Sequence, residues 1–211
     1  MLFSFTTLVL LATLAVSIKG FNDPAFFEKY KFNISAIQHG QQYRLFSSGF
    51  LHADVMHLAF NMLSFYSFST FLSGFFTPFQ LALLYFGSML LGSVFTYYIH
   101  KNEPYYSAIG ASGGVSGVIY CAILLNPSMT IYMPIPMPGY VFGILYLFYS
   151  VYGMRGRFDN IGHTAHFGGA IAGLLLTVVL FPTLLVEKPL FLGLMCLPIM
   201  VLFVLLRYKK M

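Results

Sequence analysis

Ser112 sits in the tetrapeptide Gly110-Ala111-Ser112-Gly113, between a polar loop and the start of an apolar run. A serine in the first turn of a helix holds its hydroxyl near the positive end of the helix dipole, where N–H groups without intrahelical partners can stabilise a developing oxyanion. The same tetrapeptide is equally an ordinary glycine-rich helix start with a capping serine. His166 opens another apolar run, and Gly169, Ala170 and Gly173 follow it on its own helix face, which is therefore a small-residue face with a GxxxG seam. Gly113 and Gly117 make a matching seam on the serine's helix, with Ser116 one turn below Ser112. If two such seams pack backbone to backbone, a serine and a histidine at neighbouring helix starts fall within hydrogen-bonding reach. That pair is the nucleophile and base of covalent acyl transfer. His57 and Asn61, four residues apart on one face, add two side-chain donors, which would serve as well to glue helices together. His163 and His166 have a spacing that admits a metal, but Asp54 lies only at a helix end and Asp159 in a loop. No metal and no cofactor is expected.

The elements that must position these groups follow from composition. The chain has 211 residues, 58% hydrophobic and 8% charged, with a mean hydropathy of +0.80. A soluble domain carries about a quarter charged residues, so this chain lacks the means to clothe a water-facing surface. A cytosolic globular enzyme, a disordered chain and a disulfide-stapled secreted module are excluded. The net charge of +5 is spread over single basic residues between apolar runs, which reads as membrane anchoring and not as nucleic-acid binding. Cys121 and Cys196 both fall inside apolar runs and read as packing residues. A spanning helix needs about 20 mainly apolar residues. The breaks predict seven helices: Leu2 to Ile18, about Asp54 to Ser73, Pro78 to Tyr98, Ala111 to Leu125, a short aromatic-rich one from Tyr140 to Tyr152, about Gly162 to Leu180, and Pro189 to Leu206. The first has no basic leader and reads as a retained helix. Residues 20–50 form a structured, partly interfacial loop. The expected fold is an all-α polytopic membrane bundle, one domain over 1–211, with a six-helix core over 1–182 and an additional helix over 189–206.

His52 to Asn61, HADVMHLAFN, resembles the rhomboid signature of two histidines before an asparagine; GASG at 110–113 resembles that family's serine motif; and AHFGGAIAG at 165–173 resembles its histidine helix. Tyr43-Arg44 is similar to the aromatic-arginine pair of its first loop. Three motifs in order on the second, fourth and sixth predicted helices make the resemblance specific. It implies an intramembrane serine protease with a dyad and no acidic third member: Ser112 as nucleophile, His166 as general base, and His57, Asn61 and the Ser112 N–H as oxyanion donors, supported by Gly110, Gly113, His52 and Arg44. Its substrates would be transmembrane segments of other membrane proteins, within the lipid bilayer, and the style of the motifs is nearest bacterial members, hence a bacterial inner membrane. Phe65, Phe68, Phe142, Tyr146, Phe148 and Tyr149 on the second and fifth helices resemble the family's lateral gate, although ordinary packing explains most such aromatics. His52, His57, Asn61, Ser107 and Ser116 are candidates to line a water-filled cavity. The chain departs from the family in its seventh helix and in Gly114 and Ser116, where an alanine or a tyrosine often stands.

Orientation pulls two ways. The side holding Ser112 carries Lys19, Lys29, Lys31, Arg44, Lys101, Arg155, Arg157, Arg207, Lys209 and Lys210 against Lys188 on the other, which by the positive-inside rule makes it cytoplasmic. Bacterial members of the resembled family usually open outward. Two rival readings remain beside the protease: an inactive rhomboid-like protein that binds transmembrane clients, and, more remotely, a histidine-lined metal transporter.

Overall fold

The computed structural model describes residues 4–132, 135–156 and 162–208; Leu2, Arg157, Asp159, Lys209 and Lys210 lie outside the described residues. Among the described residues seven long helices run in the expected order: α1 Phe5–Asn22, α2 Val55–Leu72, α3 Pro78–His100, α4 Ser112–Leu125, α5 Gly139–Gly156, α6 His163–Leu180 and α7 Pro189–Arg207. Among them α1, α3, α6 and α7 are long and apolar enough to cross a membrane. Their starts are chemically marked. Ser4 accepts the Thr7 N–H, Asp54 accepts the His57 N–H, and Thr77 and Gln80 form a reciprocal capping box ahead of Pro78.

Two helices end four residues beyond the sequence expectation. α1 continues through Lys19 and Gly20 to Asn22, because the effective break is Asp23, whose carboxylate accepts the Phe26 N–H and opens a separate helix, Pro24–Tyr30. α5 is not short: it spans 18 residues, as long as α2, and continues past Tyr152 through Gly153, Met154 and Arg155 to Gly156.

The centre of the bundle is α3, α4 and α6, joined through glycine. A Cβ on Gly169 would overlap the Gly113 backbone, one on Gly173 the Gly117 backbone, and one on Gly92 would lie 2.8 Å from the Ala165 carbonyl oxygen. Both seams expected from the sequence therefore meet each other, and α3 joins them as a third member. α4 is enclosed nearly all round, which suits its continuous run of small and apolar residues. α2 packs on α4 and α1, where the Thr6 hydroxyl donates to Ser69 Oγ at 3.1 Å. α5 packs on α6 and α7, while α2 and α5 make no extensive contact with each other among the described residues.

The first loop is folded as expected. Its strand Phe32–Asn33 pairs antiparallel with Ser107–Ala108, matching Phe32 to Ala108 and Asn33 to Ser107, just ahead of Ser112. Phe32, Ile34 and Ile37 are buried beneath it. Arg44 is buried and holds the loop together: its Nη1 donates to the carbonyls of Glu28 at 2.7 Å and Lys31 at 2.8 Å, and its Nε donates to Gln41. These hydrogen bonds all lie within the first loop, away from Ser112.

Candidate active site

Ser112 is the first residue of α4, half-buried, following Ala111 in the cap position. Val115 N–H is the first of the helix to find a backbone carbonyl, that of Ala111, at 3.0 Å. The amides before it belong to the unpaired first turn and aim toward the serine end of the helix. Gly110 approaches with φ +118°, a conformation that favours glycine. The space a Cβ would take there is occupied: it would lie 2.9 Å from His57 Cε1, 3.0 Å from His57 Nε2 and 3.6 Å from Ser112 Oγ. Gly110 is what allows the His57 ring and the Ser112 hydroxyl to border one point.

His57 lies in the first turn of α2. Its Nδ1 accepts a long 3.4 Å bond from the Ala53 N–H, so in the neutral ring the proton sits on Nε2, which lies 3.0 Å from the point a Gly110 Cβ would occupy. Asn61, buried one turn along, spends one amide hydrogen on the His57 carbonyl at 2.9 Å and retains a second. The two donors share a face as the spacing predicts.

His52 is fully buried in the connection before α2, and its partners fix its tautomer. The Ala111 N–H donates to Nε2 at 3.3 Å, so Nδ1 carries hydrogen and donates to Ser17 Oγ at 2.9 Å, and Ser17 donates in turn to the Phe50 carbonyl at 2.8 Å. The peptide preceding Ser112 is thereby tied to α1. Sequence reading missed Ser17, although a serine inside an apolar helix is the kind of signal that finds such partners. Burial pushes the His52 imidazole down from the ordinary 6.5 to about 3, with the neighbouring His57 adding to the effect. A group that resists protonation when folded gives its full stability above pH 6.5 and loses it as the pH falls toward 3. Thermal denaturation in detergent between pH 7 and pH 4 is therefore expected to show a steeper loss of Tm for the wild type than for His52→Asn; equal slopes would remove His52 from this role.

His166 lies in the first turn of α6, where its Nδ1 is 2.8 Å from the Tyr146 hydroxyl of α5, the rings lying nearly parallel at 18° with centroids 5.9 Å apart. Tyr146 also reaches Ser116 Oγ on α4 at 3.4 Å. The α4–α6 seam brings the start of the serine helix against that of the histidine helix: a Cβ on Gly113 would stand 3.3 Å from the Ala165 carbonyl oxygen. His163 is buried against Gly153 and edge-on to Tyr149, with its centroid 6.4 Å from that of His166.

Other expected groupings are redistributed. Phe65 is fully buried against Phe5 and Tyr85, so it belongs to the α1–α2–α3 core and not to a gate, and Tyr146 is a polar partner of His166, not mere packing. Of the residues proposed to line a cavity, Ser107 accepts from Asn33 at the strand pair and His52 is enclosed. An open depression of about 440 Å³ is lined by Gly20 and Phe21 at the end of α1, by Pro24, Phe27 and Glu28 of the first loop, and by Ala53.

The rhomboid domain family model matches residues 39–183, a span that holds His52, His57, Asn61, Ser112 and His166. Among individual proteins, the chain is 29% identical over 168 residues to "RHOMBOID-like protein 12, mitochondrial" of Arabidopsis thaliana, covering 71% of this chain and 50% of that one. It is 29% identical over 137 residues to "Rhomboid protein 1, mitochondrial" of Saccharomyces cerevisiae, covering 62% and 40%. To "Rhomboid protease AarA" of Providencia stuartii it is 26% identical over 157 residues, covering 66% and 56%. The chain thus spans about half the length of the relatives it matches.

Proposed function

The chain belongs to the rhomboid family, and on that premise we propose that it is an intramembrane serine endopeptidase that cuts transmembrane segments of other membrane proteins with Ser112 and His166. The observation that carries the reading is the glycine-to-glycine contact of α4 and α6, which sets the two helix starts bearing these residues side by side. The name of the Providencia relative, a rhomboid protease, supports the same activity. Ser112 Oγ attacks the scissile carbonyl while its proton passes to His166 Nε2. The oxyanion is received by the Ser112 N–H, the His57 Nε2–H and the second amide hydrogen of Asn61. Collapse expels the amine, which takes the proton from His166; water, deprotonated by His166, then releases the acyl group as a carboxylic acid.

Depth supports a substrate within the bilayer. The 14 residues of α4 span about 21 Å at 1.5 Å each, against about 30 Å of hydrocarbon. Its far end, the Leu125 carbonyl, accepts from the Lys188 ammonium, a charge that belongs at a membrane surface. Measured from there, Ser112 lies below the opposite surface. We read the whole of 1–211 as one domain, with α7 resting chiefly on α5. The membrane reading is multi-pass insertion; the finer expectation of a bacterial inner membrane draws no support from relatives of which two are named mitochondrial.

A fluorophosphonate probe on the purified chain tests the proposal. The wild type is expected to label and Ser112→Ala not to label; a folded wild type that neither labels nor cleaves a transmembrane reporter would leave a client-binding protein in its place.

A further inference from the structure

His166 must present a bare Nε2 to the serine for the dyad to work, so its proton must sit on Nδ1. In an isolated imidazole neither nitrogen is fixed in that role; a partner on the far nitrogen selects the tautomer and sets the ring's orientation. A dyad has no carboxylate to do this. The atom beside His166 Nδ1 is the Tyr146 hydroxyl oxygen, at 2.8 Å, and it comes from α5, neither from the serine helix nor from the histidine helix.

We propose that Tyr146 is the positioning residue of the catalytic base: its hydroxyl oxygen accepts the Nδ1–H of His166 and its ring, lying parallel to the imidazole, holds that imidazole in plane. The inference rests on the protease reading above and extends it to a residue outside the three motif helices. With the Nδ1–H tautomer the hydroxyl's own hydrogen is left for Ser116 Oγ, 3.4 Å away, and the bonds then run His166 Nδ1–H to Tyr146 to Ser116, all in one sense. When Ser112 gives its proton to Nε2, the imidazolium keeps its Nδ1–H on the same oxygen, and no proton leaves Tyr146.

Tyr146 is itself held. Phe142, one turn earlier, stacks on it with centroids 5.7 Å apart and 17° between the planes. The buried Tyr120 hydroxyl of α4 donates to the Gly143 carbonyl at 2.5 Å, pinning the α5 backbone one turn before Tyr146. Ser116 is small enough at its position on α4 to leave the site to a ring supplied from α5. α5 packs on α6 and α7 and makes no extensive contact with α2 among the described residues, so the group that orients the base is carried by a helix that bears none of Ser112, His166, His57 and Asn61.

The test is Tyr146→Phe, which keeps the ring and removes the oxygen. General-base catalysis contributes about 10²–10⁴-fold, and losing its orientation is expected to lower kcat for a transmembrane reporter roughly 10- to 100-fold with KM unchanged. The direct readout is nitrogen NMR of histidine-labelled protein in detergent: wild-type His166 is expected to carry its neutral-form proton on Nδ1, and Tyr146→Phe to shift it toward Nε2. Tyr120→Phe, which loosens the backbone clamp without touching the imidazole, is expected to lower Tm and leave the His166 tautomer as in the wild type. An unchanged kcat in Tyr146→Phe, a loss confined to KM, or a wild-type His166 protonated on Nε2 would each overturn the proposal. The tautomer is measured without turnover, so a chain that cuts no reporter refutes the protease reading and still reports on Tyr146.

Discussion

Ser112→Ala and His166→Ala are each expected to reduce reporter cleavage by about 10⁴-fold or more, and the double variant to be no slower than the slower single one. The groups act as one unit: without the base the hydroxyl stays protonated, and without the hydroxyl the base has nothing to deprotonate. Independent contributions would instead multiply, and a double variant slower by the product of the two losses would argue that the residues serve separate steps. Residual turnover in either variant belongs to the oxyanion donors, so adding His57→Ala to Ser112→Ala should lower it further. Folding is not expected to confound the result for Ser112, which is half-buried at a helix start whose cap makes no side-chain hydrogen bond. Equal Tm values for Ser112→Ala and the wild type check this; cleavage by Ser112→Ala at the wild-type rate would end the assignment of the nucleophile.

What was legible in the sequence, and what was not, divides along a physical line. Gly113, Gly117, Gly169 and Gly173 announce their contact because a helix seam of small residues is a periodic pattern in one segment and has few uses other than close approach. The partnership of His57 with Asn61 is local for the same reason. The His52 relay is not local: its bonds reach 35 residues back to Ser17 and 59 residues forward to Ala111, and no spacing rule connects those positions. Tyr146 was hidden differently. In a helix that also holds Tyr140, Tyr149 and Tyr152, one phenol oxygen among several carries no mark of its own, and only the crossing of α5 over α6 selects it. The first loop was legible as folded from its mixture of aromatics and charges. Its strand was not, because two residues paired with Ser107 and Ala108 are held by tertiary context and have no periodicity to read.

The seam also yields the largest expected effect on stability. Gly169→Val and Gly173→Val are each expected to lower Tm on the order of 10 °C or to prevent accumulation of folded protein, from overpacking of about 3 kcal/mol or more. At both positions the obstacle is backbone: the new Cβ would meet the Gly113 chain in one case and the Gly117 chain in the other, and neither can turn aside as a side-chain tip can. α4 and α6 would have to separate along their whole contact, drawing the helix starts that bear Ser112 and His166 apart. Activity should therefore fall with stability, unlike the Ser112→Ala case, in which activity falls alone. Gly193 on α7 supplies the contrast, since nothing lies within 4 Å of its would-be Cβ. There Gly193→Ala should be neutral or stabilising by about 0.5–1 kcal/mol, the ordinary gain of alanine over glycine in a helix interior. If Gly169→Val and Gly193→Ala proved equally harmless, α4 and α6 would not be in backbone contact, and the juxtaposition on which the dyad rests would fall with it.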